Sequence, residues 1–280
     1  MATVFFLPNT VEEACSILEE WGDDAIITNG GTDIVIDISK GNLIPHANVC
    51  IWNINELHQI KMDGDYVRVG GAATYKEMMN SSLTKEFPGL IEAVSQIGSP
   101  GIRQVATLAG NICTAAPAAD GCTMAMGLDA QIVLKSATGE RIVPLSHMMI
   151  GRGKTKRRGN ELLTAILIPT SKKNCAYGRL ARRRASDIAK VMVGASLEIE
   201  DGICTRAVVS LGALGPVPCR AYSIEQKLEG KPIRTGIEQL RGVFPEEAKP
   251  RISQFKRYKE QALPTLLVRT LELAAQRGGA

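Results

Sequence analysis

The chain has 280 residues, 45% hydrophobic but only 4% aromatic, with a net charge of +4. This composition describes one large or two modest globular domains with cores of aliphatic side chains, Ala and Gly, and excludes a disordered chain. The small excess of 33 basic over 29 acidic residues, with so few aromatics, argues against a nucleic-acid partner, and no apolar run approaches the roughly 20 residues that span a bilayer.

The first ten residues, MATVFFLPNT, show no basic segment leading into an apolar one, so no signal peptide is expected. Cys15, Cys50, Cys113, Cys122, Cys175, Cys204 and Cys219 are odd in number and never form a C-x-x-C pair. They read as reduced thiols of a cytoplasmic protein. With only three histidines, the chain offers little for a zinc or iron–sulfur site, so no metal site is expected on it.

In chain order, Thr10-Val11-Glu12-Glu13 predicts a capping box, and Val11, Ala14, Cys15, Leu18 and Trp21 mark one helical face that Gly22 ends. A buried strand, Ala25–Thr28, runs into Asn29-Gly30-Gly31-Thr32-Asp33, and a second buried run covers 49–54. The first sixty residues predict a small α/β unit with a glycine turn at a strand end. Asp63-Gly64 predicts a hairpin between 60–62 and 66–69, with helices around 75–80 and 90–97. Residues 98–122, rich in Gly, Ala, Pro, Ser and Thr, predict an ordered loop. Strands follow at 130–135, 141–145 and 161–168, and a boundary is expected near 168–173. Asp201-Gly202 joins strands at 191–200 and 203–211, before helices near 221–228, 235–241 and about 263 to 277.

Two segments carry chemistry. Paired glycines after a strand, Gly30-Gly31, let the backbone take positive φ and turn successive N–H groups onto an anion, with the Thr32 hydroxyl adding a donor. The alternative is a plain strand-to-helix turn with Asp33 at a helix N-terminus. The spacing does not match G-x-G-x-x-G. Residues 107–120 form a long small-residue stretch that admits a ligand close to the backbone, with Thr107, Asn111 and Thr114 as polar groups and Asp120 as an acceptor. A tightly self-packed loop is the alternative. Gly153-Lys154-Thr155 mimics the end of a P-loop, but Met148 stands where that pattern needs glycine. The basic runs at 152–158 and at Arg179, Arg182, Arg183 and Arg184 read first as solvated surface.

Taken together, these segments resemble the FAD-binding subunit of molybdenum hydroxylases, the xanthine dehydrogenase family. That family pairs a loop like A-G-G-T-D with one like T-x-G-G-N-I-x-x-A-x-P-x-x-D about eighty residues later. Here Asn29–Asp33 and Thr107–Asp120 stand at that separation, and Ile97–Arg103, Leu162–Pro169, Ser186–Val191 and the 249–275 region match further family segments in order. Ala109 and Ala106 stand where glycines are usual, and Gly101 replaces a glutamine. A methyl group at position 109 matters only if that residue needs positive φ or very close approach to the cofactor.

The resemblance implies an α+β chain: a vanillyl-alcohol-oxidase (PCMH)-type FAD-binding domain over 1–170, with subdomains of about 1–57 and 58–170. A C-terminal α+β domain over 171–280 would have an antiparallel sheet and helices. It implies that Ile27, Thr28, Asn29, Gly30, Gly31, Thr32, Asp33 and Ile34 wrap the FAD pyrophosphate, and that Thr107, Leu108, Ala109, Gly110 and Asn111 line the flavin and phosphate region. Asp120 would hold polar groups of the cofactor, Ile97 and Leu163 would provide apolar surroundings, and Arg179 would lie near the flavin. The turn at Asp187-Ile188-Ala189 would reach the ring edge, its carboxylate either setting the local potential or pairing with Arg183 or Arg184. By the same resemblance no residue of this chain performs catalysis on the organic substrate. The implied partners are a small iron–sulfur subunit, a large molybdopterin subunit, and NAD⁺ or another electron acceptor. A self-contained FAD oxidase and a non-catalytic flavin-binding module are the alternatives.

Overall fold

The computed structural model describes residues 3–183 and 186–279; of the arginine cluster, Arg184 lies outside the described residues. The N-terminal unit is built as its pattern predicts. Strand β1 (Val4–Phe6) leads to α1 (Val11–Trp21), β2 (Ala25–Thr28), α2 (Ile34–Ser39) and β3 (Ala47–Cys50). The three strands form a parallel sheet in the order β1-β3-β2. The Thr10 side chain accepts the Glu13 N–H at 3.1 Å, but the Glu13 carboxylate receives the N–H of Asn9 rather than that of Thr10. Val11, Ala14, Cys15 and Leu18 of α1 are buried, and Gly22 ends the helix at φ +51°. Helix α2 differs: none of its residues is buried, because it hangs at the sheet's end rather than across its face.

The middle of the chain forms a five-stranded antiparallel sheet. It begins with the predicted hairpin β4 (Ile60–Asp63) and β5 (Tyr66–Gly70). Helix α3 (Tyr75–Asn80) opens on a full capping box, with Thr74 and Glu77 satisfying each other's backbone N–H groups. Next come α4 (Ser82–Lys85) and α5 (Pro88–Ser95). The stretch expected to be ordered loop is instead three helices, α6 (Pro100–Arg103), α7 (Leu108–Thr114) and α8 (Asp120–Gly127). Its small-residue composition hid two N-caps: Ser99 accepts the Ile102 N–H and Thr107 accepts the Gly110 N–H. Strands β6 (Gln131–Ser136) and β7 (Gly139–Pro144), helix α9 (Leu145–Met148), the short hairpin β8 (Met149–Gly151) and β9 (Lys154–Thr155), and β10 (Leu162–Pro169) complete this part. The sheet order is β4-β5-β10-β6-β7. Seven consecutive residues of β10 are buried, which is why its sequence is a continuous apolar run without alternation. The P-loop mimic is the tip of the β8–β9 hairpin, with Gly153 at φ +69°.

The remaining strands, β11 (Cys175–Leu180), β12 (Val191–Glu200), β13 (Ile203–Gly212) and β14 (Cys219–Arg220), form an antiparallel sheet in that order. They are followed by α10 (Tyr222–Leu228), α11 (Ile233–Glu238) and α12 (Lys256–Arg277). Leu263, Leu267 and Leu271 of α12 share an apolar core with Val191, Val193 and Leu197 of β12. Helix α12 starts seven residues before the expected position and keeps Pro264 inside it; its first turns are polar and carry no apolar period.

Helix α8 joins the two larger units. Gly121 to Gly127 are all buried. At its end a Cβ on Gly127 would stand 2.8 Å from the Gly194 carbonyl carbon and 2.9 Å from the Ser210 hydroxyl. Gly127→Ala therefore presses a methyl against backbone that cannot yield, and should destabilise the chain by about 1–3 kcal/mol. Gly139→Ala, where no atom lies within 4 Å of the added Cβ, should stay within about 0.5 kcal/mol of the parent. Urea denaturation midpoints check both.

Candidate functional site

A cleft of ≈ 1820 Å³ runs along the carboxyl end of β2, the helices α6 to α8 and the face of the C-terminal unit. Ordinary small-molecule sites span roughly 300–1,000 Å³, so this space suits an extended ligand of dinucleotide size.

One wall is the loop after β2. The Thr28 hydroxyl donates to the Asn48 side chain at 2.6 Å, and the Asn29 amide donates to the Ala72 carbonyl at 3.3 Å. Gly30 lies flat on the next segment: a Cβ there would sit 2.0 Å from the Val105 carbonyl oxygen. Gly31 takes φ +67°, the left-handed conformation that glycine adopts without Cβ strain. Asp33 stands at the N-cap of α2 without capping it, and its carboxylate instead accepts the Thr114 hydroxyl at 3.1 Å. The glycine loop is thereby fixed against α7.

The floor comes from α7 and α8. Thr107 caps α7, and the Asn111 side chain accepts the Cys122 N–H at 3.0 Å, which locks α7 onto the first turn of α8. Ala109 and Ala106 do not have positive φ, and Ala109 sits in the first turn of a helix. The replaced glycines therefore cost no backbone strain. Asp120 opens α8, and one of its oxygens accepts both the Tyr177 hydroxyl and Arg179 Nε at 2.8 Å. Burial holds its carboxyl above the ordinary range, against the lowering effects of the Tyr177 hydrogen bond and the Arg179 charge. Arg179, its side chain 4% exposed, also donates to the Asp187 carbonyl. It braces α8 against the 186–189 turn.

Sixteen of the seventeen cofactor-site residues named from the sequence line this one cleft: Ile27 to Ile34, Ile97, Thr107, Ala109, Gly110, Asn111, Asp120, Leu163 and Arg179. Leu108 does not. Its side chain is 0% exposed and belongs to the core beneath α7, because the residue after the N-cap turns inward. The Asp187 turn does reach the cleft, but its carboxylate serves the turn itself. It accepts the N–H groups of Arg182, Arg183 and Ile188 at 2.8, 3.2 and 3.0 Å and pairs with the Arg182 guanidinium at 3.1 Å. The ion-pair partner is Arg182, not Arg183.

Other lining residues were not expected at the site from the sequence, where the basic run at 152–158 reads as solvated surface. They include Tyr75, Phe255 and the cations Arg152, Arg157, Lys190, Lys249, Arg251 and Lys259. Tyr75 had a signal in the capping box that precedes it. The cations of the 249–259 segment had only the resemblance of the 249–275 region to the family, which pointed to no ligand, since only tertiary folding brings them to the cleft. With Arg179, the cleft carries seven basic side chains against four carboxylates, Asp33, Asp37, Asp120 and Asp187, an excess that suits a phosphorylated ligand.

Two orphaned polar atoms also point to a ligand. The Asn29 side-chain oxygen and the Tyr75 hydroxyl are buried, line the cleft and have no hydrogen-bond partner among the described residues. Buried polar groups are rarely left unpaired. A ligand with donors and acceptors along its length would satisfy them.

Comparison with known proteins agrees with this geometry. Residues 1–171 match the FAD binding domain in molybdopterin dehydrogenase, and residues 176–274 match the CO dehydrogenase flavoprotein C-terminal domain. The chain therefore belongs to the family of FAD-binding subunits of molybdopterin dehydrogenases, oxidoreductases whose cofactor on this subunit is FAD. It is 32% identical over 250 residues to the nicotinate dehydrogenase FAD-subunit of Eubacterium barkeri, covering 86% of this chain and 83% of that one. It is 29% identical over 279 residues to the xanthine dehydrogenase FAD-binding subunit of Escherichia coli O157:H7, covering 96% and 95%. In fold it is similar to a chain of the reconstituted CO dehydrogenase from Oligotropha carboxidovorans, with a TM-score of 0.90 at 24% identity over 99% of both chains. The architecture is accordingly an α+β FAD-binding domain followed by a C-terminal domain with an antiparallel sheet.

Two expected outcomes follow from the site. Tyr75→Phe removes a hydroxyl that has no partner in the cofactor-free protein. It should raise apoprotein stability by about 1 kcal/mol and weaken FAD binding roughly 3- to 10-fold, as measured by melting curves and by fluorescence titration of added FAD. The Asp187 carboxyl is held down to about 2, chiefly by the Arg182 side-chain hydrogen bond and further by backbone N–H groups and the Arg182 charge. A lowered carboxyl stabilises the turn above the ordinary value of 3.8 and loses that contribution as pH falls toward 2. Asp187→Ala should therefore speed amide exchange at 182, 183 and 188 about tenfold or more at pH 7, with amides in β12 unaffected.

Proposed function

We propose that this chain is the electron-exit subunit of a heteromeric complex that oxidises a nitrogen heterocycle, in the manner of xanthine and nicotinate dehydrogenases, and that it delivers the electrons to NAD⁺. In this reading residues 1–170 form the FAD-binding domain, in subdomains of about 1–57 and 58–170, and residues 171–280 form the second domain. The observation that carries it is the single cleft in which the glycine loop meets the orphaned Asn29 and Tyr75 atoms. The names of the two curated relatives support the heterocycle class.

Bound FAD would supply the chemistry that converts one-electron input into hydride output. The chain's own residues bind and orient it. Backbone N–H groups at Gly30–Thr32 would hold its pyrophosphate, on a loop fixed by the contact of Gly30 with Val105 and by the Asp33–Thr114 hydrogen bond. Ile27, Ile97 and Leu163 give the apolar lining, and the Asp120–Arg179–Tyr177 cluster fixes the side of the cleft formed by the second domain. The cleft's acidic groups are committed to structural partners at Asp120 and Asp187, so this chain is proposed to do no acid–base work on the organic substrate. That role falls to a large molybdopterin subunit, with a small iron–sulfur subunit between the two. The seven thiols are all free, and among the described residues no helix is long and apolar enough to cross a membrane. Both support a cytoplasmic complex.

Expressed alone, the chain should bind one FAD, released entirely into the supernatant by acid precipitation, and should oxidise no heterocycle. Expressed with its neighbouring genes, it should co-purify with two further subunits, and NADH should bleach the flavin. Substrate turnover by the isolated chain would instead make it a self-contained oxidase.

A further inference from the structure

Four of the cleft's basic side chains form no ion pair with a carboxylate among the described residues. Lys190, at the start of β12, lies 4.5 Å over the Phe255 ring. Lys249 and Arg251 stand on the exposed segment before α12, and Lys259, half-buried in its first turns, donates to the Ala213 carbonyl. All four line the cleft beside Gly215 and Pro216. Burial, then the charges of Lys190 and Arg251, hold Lys259 below the ordinary lysine range. These cations therefore repel one another.

Nearby carboxylates are engaged elsewhere: Asp187 with Arg182, Glu247 with Ser223, and Glu260 with Lys256. The N-terminus of the 22-residue α12, which no side chain caps, adds its positive end. Clustered, uncompensated cations facing a cavity are costly unless an anion joins them. The aromatic face of Phe255 among them suits a base or a nicotinamide ring.

We propose that Lys190, Lys249, Arg251 and Lys259, with Phe255, form a second anion site in the cleft, for the diphosphate of a diffusing dinucleotide acceptor. The assignment rests on the NAD⁺ reading above. The resident cofactor's phosphates belong to the Gly30–Thr32 loop, which comes from the other end of the chain, and the cationic wall comes entirely from residues 190–259. One cleft thus offers two phosphate stations, one permanent and one for exchange.

The test uses the complete complex with its partner subunits, reduced by NADH in steady state. Lys259→Gln and Arg251→Gln should each raise KM for NADH about 5- to 20-fold, with FAD per chain unchanged, while Lys259→Arg stays within about twofold. Arg251 is exposed, so its variant guards against a folding defect at Lys259. Inorganic pyrophosphate should compete with NADH in the parent and inhibit either glutamine variant several-fold more weakly. A fall in bound FAD would assign the cluster to the resident cofactor and overturn the proposal. Loss of the partner subunits at an unchanged KM would make it an acidic-protein contact and overturn it equally. If NADH reduces parent and variants alike, the second site fails while the NAD⁺ reading stands. If NADH and NADPH leave the parent oxidised while ferricyanide accepts its electrons, the NAD⁺ reading itself fails and this proposal falls with it.

Discussion

The buried helix α8 is the constraint on which the rest of the molecule depends. An eight-residue helix is marginal by itself, and this one is almost entirely enclosed, with Gly121 to Gly127 all buried. Its stability is tertiary. Its far end meets the C-terminal sheet at glycine, where Gly127 faces Gly194 and Thr123 fills the space beside Gly212. Ser196 and Ser210 hydroxyls donate to the carbonyls of Gly127 and Thr123, so even the helix's terminal acceptors are satisfied by the neighbouring unit. Because both ends are fixed, Asp120 is delivered to the cleft at a defined place, where Tyr177 and Arg179 of β11 close on it. The cleft is thus a consequence of how two sheets share one helix.

The same logic explains why the ligand-facing surface is made of backbone and small residues. Gly30 against Val105, and Asn111 against the first turn of α8, bring backbone segments closer than ordinary side chains permit. What remains open is an elongated space with polar atoms that the protein does not satisfy itself. The Tyr75 hydroxyl and the Asn29 oxygen have no hydrogen-bond partner among the described residues. A bound ligand with donors and acceptors along its length would supply the missing partners.

Much of this was legible in the residues. The Gly30-Gly31 pair after a buried strand, the Thr107 and Asn111 positions, and the Thr10 cap each depend on local chemistry, which sequence carries directly. The helices at 100–103, 108–114 and 120–127 were not legible as helices. They are short, lack an apolar period because α8 is buried on every side, and are rich in residues that also populate loops. Ala109 shows the reverse case: a departure from a glycine pattern looks costly in sequence, yet its helical backbone makes it free of strain. Leu108 was placed by its neighbours in a motif, and the first turn of α7 sends it into the core. The cations at 249–259 fall in a segment that resembles the family tail without pointing to a ligand, and only tertiary packing brings them to the cleft.

The electrostatic balance of the cleft follows from where its carboxylates are spent. Of the four, Asp120 is committed to Arg179, Asp187 to Arg182 and its own turn, Asp33 to the Thr114 hydroxyl and Asp37 to the Asn42 amide. None of these ties neutralises Lys190, Lys249, Arg251 or Lys259. A turn that folds its aspartate inward, as the one at Asp187 does, keeps a negative charge from the stretch of wall leading to Lys190 while letting the backbone approach the ligand. Had Asp187 faced outward, it would have opposed any anion arriving at the neighbouring lysine. The arginine run before it is therefore more than surface charge: Arg182 holds the carboxylate in, and Arg179 holds the turn against α8. A wall that stays positive by design of its ion pairs attracts an anionic partner over about a Debye length, 8 Å at physiological salt, without a carboxylate nearby to weaken the attraction.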